Sequence, residues 1–163
     1  MIIINMVSGD VFGQLALAAL LGLLIGFERE HRRKAAGLRT YALVCLGAAL
    51  FTVLSIEGFQ QFALDERAFD PSRIAANIVV GIGFLGAGII FQQGDRVQGL
   101  TTAAALWVTA AIGVAIGVRM FSIAVFTTFI TLMITWLLRF VEEYVPRVDR
   151  QKPAEVSPQK NLE

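Results

Sequence analysis

A dense run of charged residues, EREHRRK from Glu28, follows the first apolar stretch and holds the side chains best suited to electrostatic chemistry. If a helix continues through it, Glu28 faces Arg32 and Glu30 faces Lys34, in the order that favours ion pairs. One interpretation is a membrane-surface anchor, in which each basic residue contributes about 1 kcal/mol near anionic headgroups. An anchor does not need carboxylates, however. Glu28 and Glu30 are therefore also predicted to partner Arg39 or the end of another helix.

Three polar residues lie within or beside otherwise apolar stretches. The Asn77 amide needs a partner in lipid, which predicts either an interhelical hydrogen bond or a place on a polar site or partner surface. Thr101 and Thr102 follow Gly99. They are predicted to cap the next helix or to hydrogen-bond across helices.

No residue pattern favours an enzyme, a cofactor or a metal site. His31 is the only histidine and Cys45 the only cysteine, so zinc-ligand spacing is absent. The glycines at 81–86 match G-x-G-x-x-G, but the acidic residue expected about 20 positions later is missing. No nucleophile, base and orienting group occur together. The net charge of +1 also gives no basic footprint for nucleic acid.

The composition indicates that lipid is the main solvent of the chain. Of 163 residues, 56% are apolar and 17% charged, against about 45–50% and 25% in soluble domains. A membrane-crossing helix needs about 20 mostly apolar residues. The prediction is an all-α, multi-pass bundle of five transmembrane helices within residues 1–138, followed by a polar, disordered cytoplasmic tail at 139–163. The predicted spans are 11–27, 38–56, 74–91, 100–118 and 120–138.

The distribution of basic residues predicts the orientation. Eleven of the fourteen Lys and Arg residues fall on one side of the predicted spans. By the positive-inside rule that side is cytoplasmic, so the amino terminus faces out and the carboxyl end faces the cytoplasm. The first ten residues carry no Lys or Arg, unlike the basic start of a secretory signal, and the first span is expected to remain in the mature protein.

Glycines recur at spacings that favour close helix packing. In lipid, small residues drive association because they let backbones approach. Glycines this dense in the third span also make that helix easy to bend or break. The predicted helix-packing residues are Gly22, Gly26, Gly81, Gly83, Gly86, Gly88, Gly113 and Gly117.

Several blocks in order carry a family resemblance. They are GFERE (26–30), AGLRT (36–40), LVCLGAALF (43–51), RIAANIVVGIGFLGAGII (73–90) and VQGLTTAAALWVTAAIGVAIG (97–117). Over residues 11–138 this pattern resembles the membrane domain of the MgtC/SapB family of bacterial inner-membrane proteins. The resemblance implies a five-span bundle with a cytoplasmic carboxyl end. It also implies a link to growth at low magnesium and, in pathogens, to survival inside host cells.

The resemblance further implies a regulator that binds other membrane proteins, including the F-type ATP synthase. Founding members carry a folded cytoplasmic α/β domain after the fifth span, whereas this chain ends about 25 residues past position 138. Regulation through that domain is therefore not expected here. The positions that match the family motifs include Gly37 and Gly99. They also include the candidate functional or partner-contact residues, which are Glu28, Glu30, Arg39, Thr40, Asn77, Thr101, Thr102 and Trp107.

Two functions of different classes remain open. A non-enzymatic regulator, acting alone or as a homo-oligomer, predicts a smooth small-residue face exposed to lipid, such as that of Gly113 and Gly117. A small oligomeric channel or carrier for magnesium or another cation would need oxygen ligands along a route. The five predicted spans contain no Asp or Glu. Such a route would depend on carbonyls of a broken helix at 83–88 and on a vestibule formed by Glu28, Glu30 and Asp95.

Overall fold

The computed structural model describes residues 9–58, 70, 72–93 and 96–144. These form five α-helices and one two-stranded antiparallel hairpin, and helix α2 continues as a π-helical turn over Leu54–Gly58. In the hairpin Phe91 pairs with Gln98 and Gln93 with Arg96. The elements are α1 (Gly9–His31), α2 (Leu38–Val53), α3 (Ser72–Ile89), β1 (Phe91–Gln93), β2 (Arg96–Gln98), α4 (Leu100–Gly117) and α5 (Phe121–Tyr144).

The helices match the apolar stretches of the sequence. In the described part of the chain, α1, α2 with its π-helical turn, α3 and α4 are long and apolar enough to cross a membrane. Helix α5 contributes a shorter apolar stretch, Phe121–Leu137. The prediction of an almost entirely helical protein is confirmed. The number of crossings and the side that each terminus faces stay predictions.

Two features differ from the sequence-based expectation, and a third decides an alternative that the sequence left open. The hairpin was not predicted, and it places Phe91 in a strand rather than at the end of the third helix. Helix α3 is continuous from Ser72 to Ile89 despite its glycines, so its carbonyls are committed to helical hydrogen bonds. Helix α5 runs to Tyr144, beyond the predicted boundary at 138. The rest of the predicted tail, 145–163, lies outside the described residues.

Helix α2 packs between α1 and α4 because glycines on both neighbours remove the intervening side chains. A Cβ atom added to Gly22 would lie 2.5 Å from the Tyr41 carbonyl oxygen, and one added to Gly26 would lie 2.7 Å from the Cα of Leu38. On the other side of α2, a Cβ at Gly117 would lie 2.5 Å from the Cβ of Thr52. These helices therefore touch at the level of the backbone.

Gly113 belongs to the same contact, and this corrects one expectation. A Cβ there would overlap the Cys45 carbonyl oxygen and come within 2.8 Å of the Ala48 Cβ. Gly113 and Gly117 are both buried. The prediction that they form a smooth face exposed to lipid is therefore wrong, because α2 of the same chain covers them.

Three buried threonine hydroxyls inside the bundle are satisfied within their own helices. Thr52 donates to the Ala48 carbonyl oxygen at 2.8 Å, and Thr109 donates to that of Ala105 at 2.8 Å. Thr128 does the same in α5, donating to Ala124 at 2.9 Å. A hydroxyl bonded four residues back exposes little polarity to a neighbouring helix or to lipid. These residues therefore fit the apolar interior.

At the end of the bundle opposite the charged run, Arg119 joins three elements. It occupies the turn between α4 and α5 with a φ of 64°. Its guanidinium lies 2.9 Å from Asp10 at the start of α1 and 2.9 Å from Glu57 at the end of α2. These exposed ion pairs show that the three helix ends meet at one side of the molecule.

Helix α3 begins with an acidic cap at that same end. The Ser72 hydroxyl donates to Asp70 Oδ1 at 2.6 Å, and the Ser72 backbone N–H donates to the same atom at 3.0 Å. These two bonds stabilise the carboxylate and lower the pKa of Asp70 below its ordinary value. The cap fixes where α3 starts.

Candidate functional site

Glu28 is the centre of a compact ion-pair group at the end of α1. Its carboxylate pairs with Nε of Arg29 and with Nε of Arg32, the second being the predicted pair four residues apart. The Arg29 side chain is only 3% exposed, and that of Glu28 is 15% exposed. A buried guanidinium needs a counter-charge, since removing one partner of such a pair is strongly destabilising. Glu28 therefore makes the burial of Arg29 possible.

Glu30 points to a different element, the amino-terminal end of α2. The Leu38 backbone N–H donates to Glu30 Oε2 at 2.9 Å. This bond satisfies one of the free N–H groups of α2 and places a negative charge at the positive end of its dipole. A Cβ added to Gly37 would lie 2.5 Å from the same carboxylate oxygen, so the glycine leaves room for it. Of the three partners predicted for Glu30, the structure shows the end of another helix. Lys34 lies beyond the end of α1, and no ion pair between Glu30 and Arg39 is present among the described residues.

A buried tyrosine connects α2 to the first turn of α4. The Tyr41 hydroxyl donates to the Thr102 carbonyl oxygen at 3.3 Å, and the Tyr41 side chain is fully buried. Thr102 is thus linked across helices through its backbone. Neither Thr101 nor Thr102 precedes α4 as a cap, because the residue at its start is Gly99, which makes no side-chain cap.

Gly99 is also where α3 and α4 come into contact. Its φ of +88° is in the left-handed region that side chains disfavour, and a Cβ there would overlap the Ile89 carbonyl oxygen. Only glycine lets the chain return from the hairpin so close to the end of α3. This turn brings β2 and the start of α4 beside the charged run after α1.

These elements enclose a cavity of about 1180 Å³. Its polar lining comes mainly from the charged run and from Thr101 and Thr102 of α4. Its apolar lining includes Phe91 of the hairpin, Leu100 at the start of α4 and Ile134 of α5. The residues that line the cavity include Arg29, His31, Arg32, Arg33, Lys34, Phe91, Leu100, Thr101, Thr102 and Ile134.

Asn77 lies elsewhere, on α3 in a groove of about 500 Å³ between α2 and α3. Its side chain is exposed, and the predicted interhelical hydrogen bond is not present among the described residues. Gly47 of α2 and Gly81 of α3 also line the groove. Asn77 is thus on the surface of the chain, within the length of a helix apolar enough to cross a membrane.

The glycines of α3 differ among themselves. Gly86 packs on α4, where an added Cβ would lie 3.5 Å from the Ala103 Cβ. Gly81, Gly83 and Gly88 have no atom of the described residues within 4 Å of an added Cβ. Three of the four glycines predicted to pack in α3 therefore face open space in the single chain.

The remaining candidates are not brought together. Arg39 and Thr40 are exposed near the start of α2, and the Trp107 side chain of α4 is 51% exposed. Within the described ranges, no group of three or more His, Cys, Asp or Glu residues is placed to hold a metal ion.

Sequence reasoning assigned no role to two buried polar residues. Tyr41 carries a signal, since a phenol near the end of an apolar span needs an acceptor. Gln14 is 2% exposed, and neither its amide nitrogen nor its amide oxygen has a hydrogen-bond partner in the described part of the chain. The sequence shows that Gln14 is a strongly polar residue within the first span, but it does not show that the side chain is buried.

Taken together, the apolar helices and their backbone-level packing define a multi-pass helical membrane protein. The model of the MgtC family matches residues 15–144. The chain belongs to the MgtC family.

Curated relatives agree with this assignment. The chain is 48% identical over 122 residues to the Escherichia coli K12 protein named "Putative magnesium transporter YhiD", covering 74% of this chain and 57% of that protein. It is 51% identical over 125 residues to "Protein MgtC" of Brucella abortus strain 2308, covering 77% and 50%. It is 45% identical over 141 residues to "Protein MgtC" of Salmonella typhi, covering 86% and 58%. The chain thus spans about half the length of the curated relatives it matches. No solved structure matches it.

Proposed function

We propose that the chain is a non-enzymatic protein of the bacterial inner membrane that binds and regulates other membrane proteins in magnesium or ion homeostasis. Its docking surface is the exposed face of α3, and its partner is a transmembrane helix of another protein. The single observation that carries the proposal is Asn77, an amide on the outside of an apolar helix with no hydrogen-bond partner among the described residues.

The position of Asn77 argues for a protein partner rather than an acyl chain. Asn77 is five residues into α3, or about 7.5 Å along the helix axis, and so within the hydrocarbon depth of a helix that crosses the membrane. An amide facing lipid tails has no partner, whereas a second helix offers side-chain and backbone groups. A partner helix would therefore satisfy Asn77.

The shape of the same face supports helix docking. Asn77, Gly81, Phe84 and Gly88 follow one another at intervals of three or four residues and so share a face of α3. Gly81 and Gly88 are open, and Phe84 between them is 81% exposed. Glycines permit close backbone approach, and a large aromatic ring supplies contact area. This combination fits a helix.

The link to magnesium rests on the family and on the printed name of the Escherichia coli relative. The specific partner we propose is the F-type ATP synthase, which the family resemblance suggests. Since the chain covers about half of its relatives, its own partner binding requires a direct test.

ATP-driven proton pumping in inverted membrane vesicles provides that test. We expect added chain to co-purify with the ATP synthase and to reduce pumping, and we expect Asn77→Leu and Gly81→Leu to abolish both effects. Gly13→Leu is the matched control, because Gly13 on α1 also has open space around an added Cβ. Equal behaviour of Gly81→Leu and Gly13→Leu would contradict docking through α3.

Cation transport is the second candidate, and the name of the Escherichia coli relative favours it. Magnesium flux into proteoliposomes that contain the purified chain distinguishes the two functions. The regulator predicts no flux above that of empty liposomes. Saturable flux that Glu28→Gln with Glu30→Gln abolishes would instead identify a transporter with its gate beside the charged run.

A further inference from the structure

The cavity beside the charged run has a strongly positive wall that the proposed partner surface on α3 does not use. Four Arg and Lys side chains and His31 line it, and no Asp or Glu is among the lining residues that the structure describes. Glu28 pairs with Arg29 and Arg32. Arg33 and Lys34 are exposed and form no ion pair with any residue that the structure describes. The wall therefore keeps excess positive charge.

The start of α4 adds a second source of positive potential. Gly99 provides no side-chain cap, and the first backbone bond of the helix runs from the Ala103 N–H to the Gly99 carbonyl oxygen at 2.9 Å. The preceding N–H groups of this 18-residue helix lie at the cavity, where Leu100, Thr101 and Thr102 form part of the lining. Uncapped N–H groups at a helix amino terminus favour anions, phosphate in particular.

A second part of the cavity lining is apolar and exposed. Phe91, Leu100 and Ile134 are 48%, 57% and 47% exposed, and all three line the cavity. Leu100 begins a helix that is apolar enough to cross the membrane, so the cavity lies where the span meets the aqueous boundary. A ligand that fills it would place a charged group on one wall and hydrocarbon on the other.

We propose that this cavity binds the phosphate group of an anionic phospholipid, with the headgroup against the basic wall and an acyl chain along the apolar wall. Basic pockets between transmembrane helices bind anionic headgroups in this manner. Free phosphate shares the headgroup chemistry but leaves the apolar wall uncovered. The proposal is independent of partner binding through α3.

Lipid binding to the purified full chain tests the proposal directly. Native mass spectrometry in detergent compares phosphatidylglycerol with phosphatidylcholine. The test variant is Arg33→Asn with Lys34→Gln, because asparagine tolerates the left-handed backbone of Arg33, whose φ is 51°. The control is Arg39→Gln with Arg73→Gln, which removes two exposed charges outside the cavity lining.

We expect phosphatidylglycerol to bind at least about tenfold more tightly than phosphatidylcholine, and the cavity variant to weaken this binding about 30-fold, or about fivefold for each charge removed. The control should weaken it less than about threefold, as expected for long-range attraction alone. Equal losses in the two double variants, or equal binding of the two lipids, would overturn the proposal.

Competition with inorganic phosphate identifies the source of the phosphate group. If millimolar phosphate displaces phosphatidylglycerol from the wild-type chain but binds the cavity variant weakly, the site takes free phosphate. If it displaces nothing, the lipid headgroup is the ligand. Arg33→Lys with Lys34→Arg preserves the charge and should retain affinity. If the neutral double variant loses helicity, the single variants Lys34→Gln and Arg39→Gln replace the two double variants. Lys34→Gln should then weaken phosphatidylglycerol binding about fivefold more than Arg39→Gln does.

Discussion

Helices α4 and α3 are both apolar and both contain several glycines, but the surroundings of these glycines are opposite. Gly113 and Gly117 are buried against α2, and an added Cβ at either would meet atoms of that helix within 3 Å. Gly81 and Gly88 have open space around them. The difference shows that glycine in one region brings two helices of the chain together, whereas in the other it leaves a surface smooth.

The comparison also separates a region that is packed within the chain from a region that is open to contact with other chains. Helices α1, α2 and α4 share most of the buried apolar residues of the bundle, while Ile82 and Gly86 are the buried residues of α3. Substitutions in the first region should therefore act on folding. Substitutions on the open face of α3 should act on association with other chains.

The largest effect is expected where α3 is attached to α4. Gly99→Ala combines left-handed strain of about 1–2 kcal/mol with overlap of the Ile89 carbonyl oxygen. We expect a loss of about 3 kcal/mol or more in the free energy of unfolding, measured by titration with sodium dodecyl sulfate in mixed micelles. A wild-type unfolding curve for this variant would mean that the turn at Gly99 does not hold the two helices together.

Gly113→Ala tests the packed region itself. Alanine favours a helix over glycine by about 1 kcal/mol, but its Cβ would overlap the Cys45 carbonyl oxygen and force α2 and α4 apart. Overpacking of this kind destabilises by about 1–3 kcal/mol, so the net change should be a loss of up to about 2 kcal/mol. The same detergent titration measures it. A gain in the free energy of unfolding would show that α4 can move away from α2 without losing stabilising contacts.

Helix positions were largely predictable, because long apolar stretches between charged residues leave few alternatives in lipid. The starts of α2 and α4 coincide with the predicted ones, at Leu38 and Leu100. The hairpin was missed because β1 continues the apolar run of α3, although the pair Gly94-Asp95 between the two strands is a hairpin signal.

The role of individual side chains was less predictable than the helices. The i, i+4 spacing correctly paired Glu28 with Arg32. The same spacing also paired Glu30 with Lys34. The second pair depends on where α1 ends, and the structure ends that helix at His31. Likewise, the spacing of Gly113 and Gly117 indicates close packing but not whether the partner helix belongs to the same chain. Such answers depend on three-dimensional neighbours.

Substitutions of Glu30 provide a second test of the packed region, at the contact between α1 and α2. Glu30→Ala removes the acceptor of the Leu38 N–H bond and should reduce the free energy of unfolding by about 1 kcal/mol. Glu30→Gln keeps an acceptor but loses the favourable charge at the helix dipole, so about half of that loss is expected. Equal losses for the two variants would indicate that the charge, rather than the hydrogen bond, stabilises α2.

The smallest effect on folding, and one of opposite sign, is expected on the open face of α3. Gly81→Ala and Gly88→Ala add a Cβ that meets no atom of the described chain, while alanine raises helix propensity by about 1 kcal/mol. The free energy of unfolding should therefore stay unchanged or rise by up to about 1 kcal/mol in dilute micelles.

Repeating the titration at a high protein-to-detergent ratio shows whether the open face of α3 packs against another chain. If either variant is destabilised only in the concentrated sample, the open face packs against a second copy of the chain. If both are destabilised at every ratio, α3 is packed more closely than its open glycines indicate, and the distinction between the two regions fails.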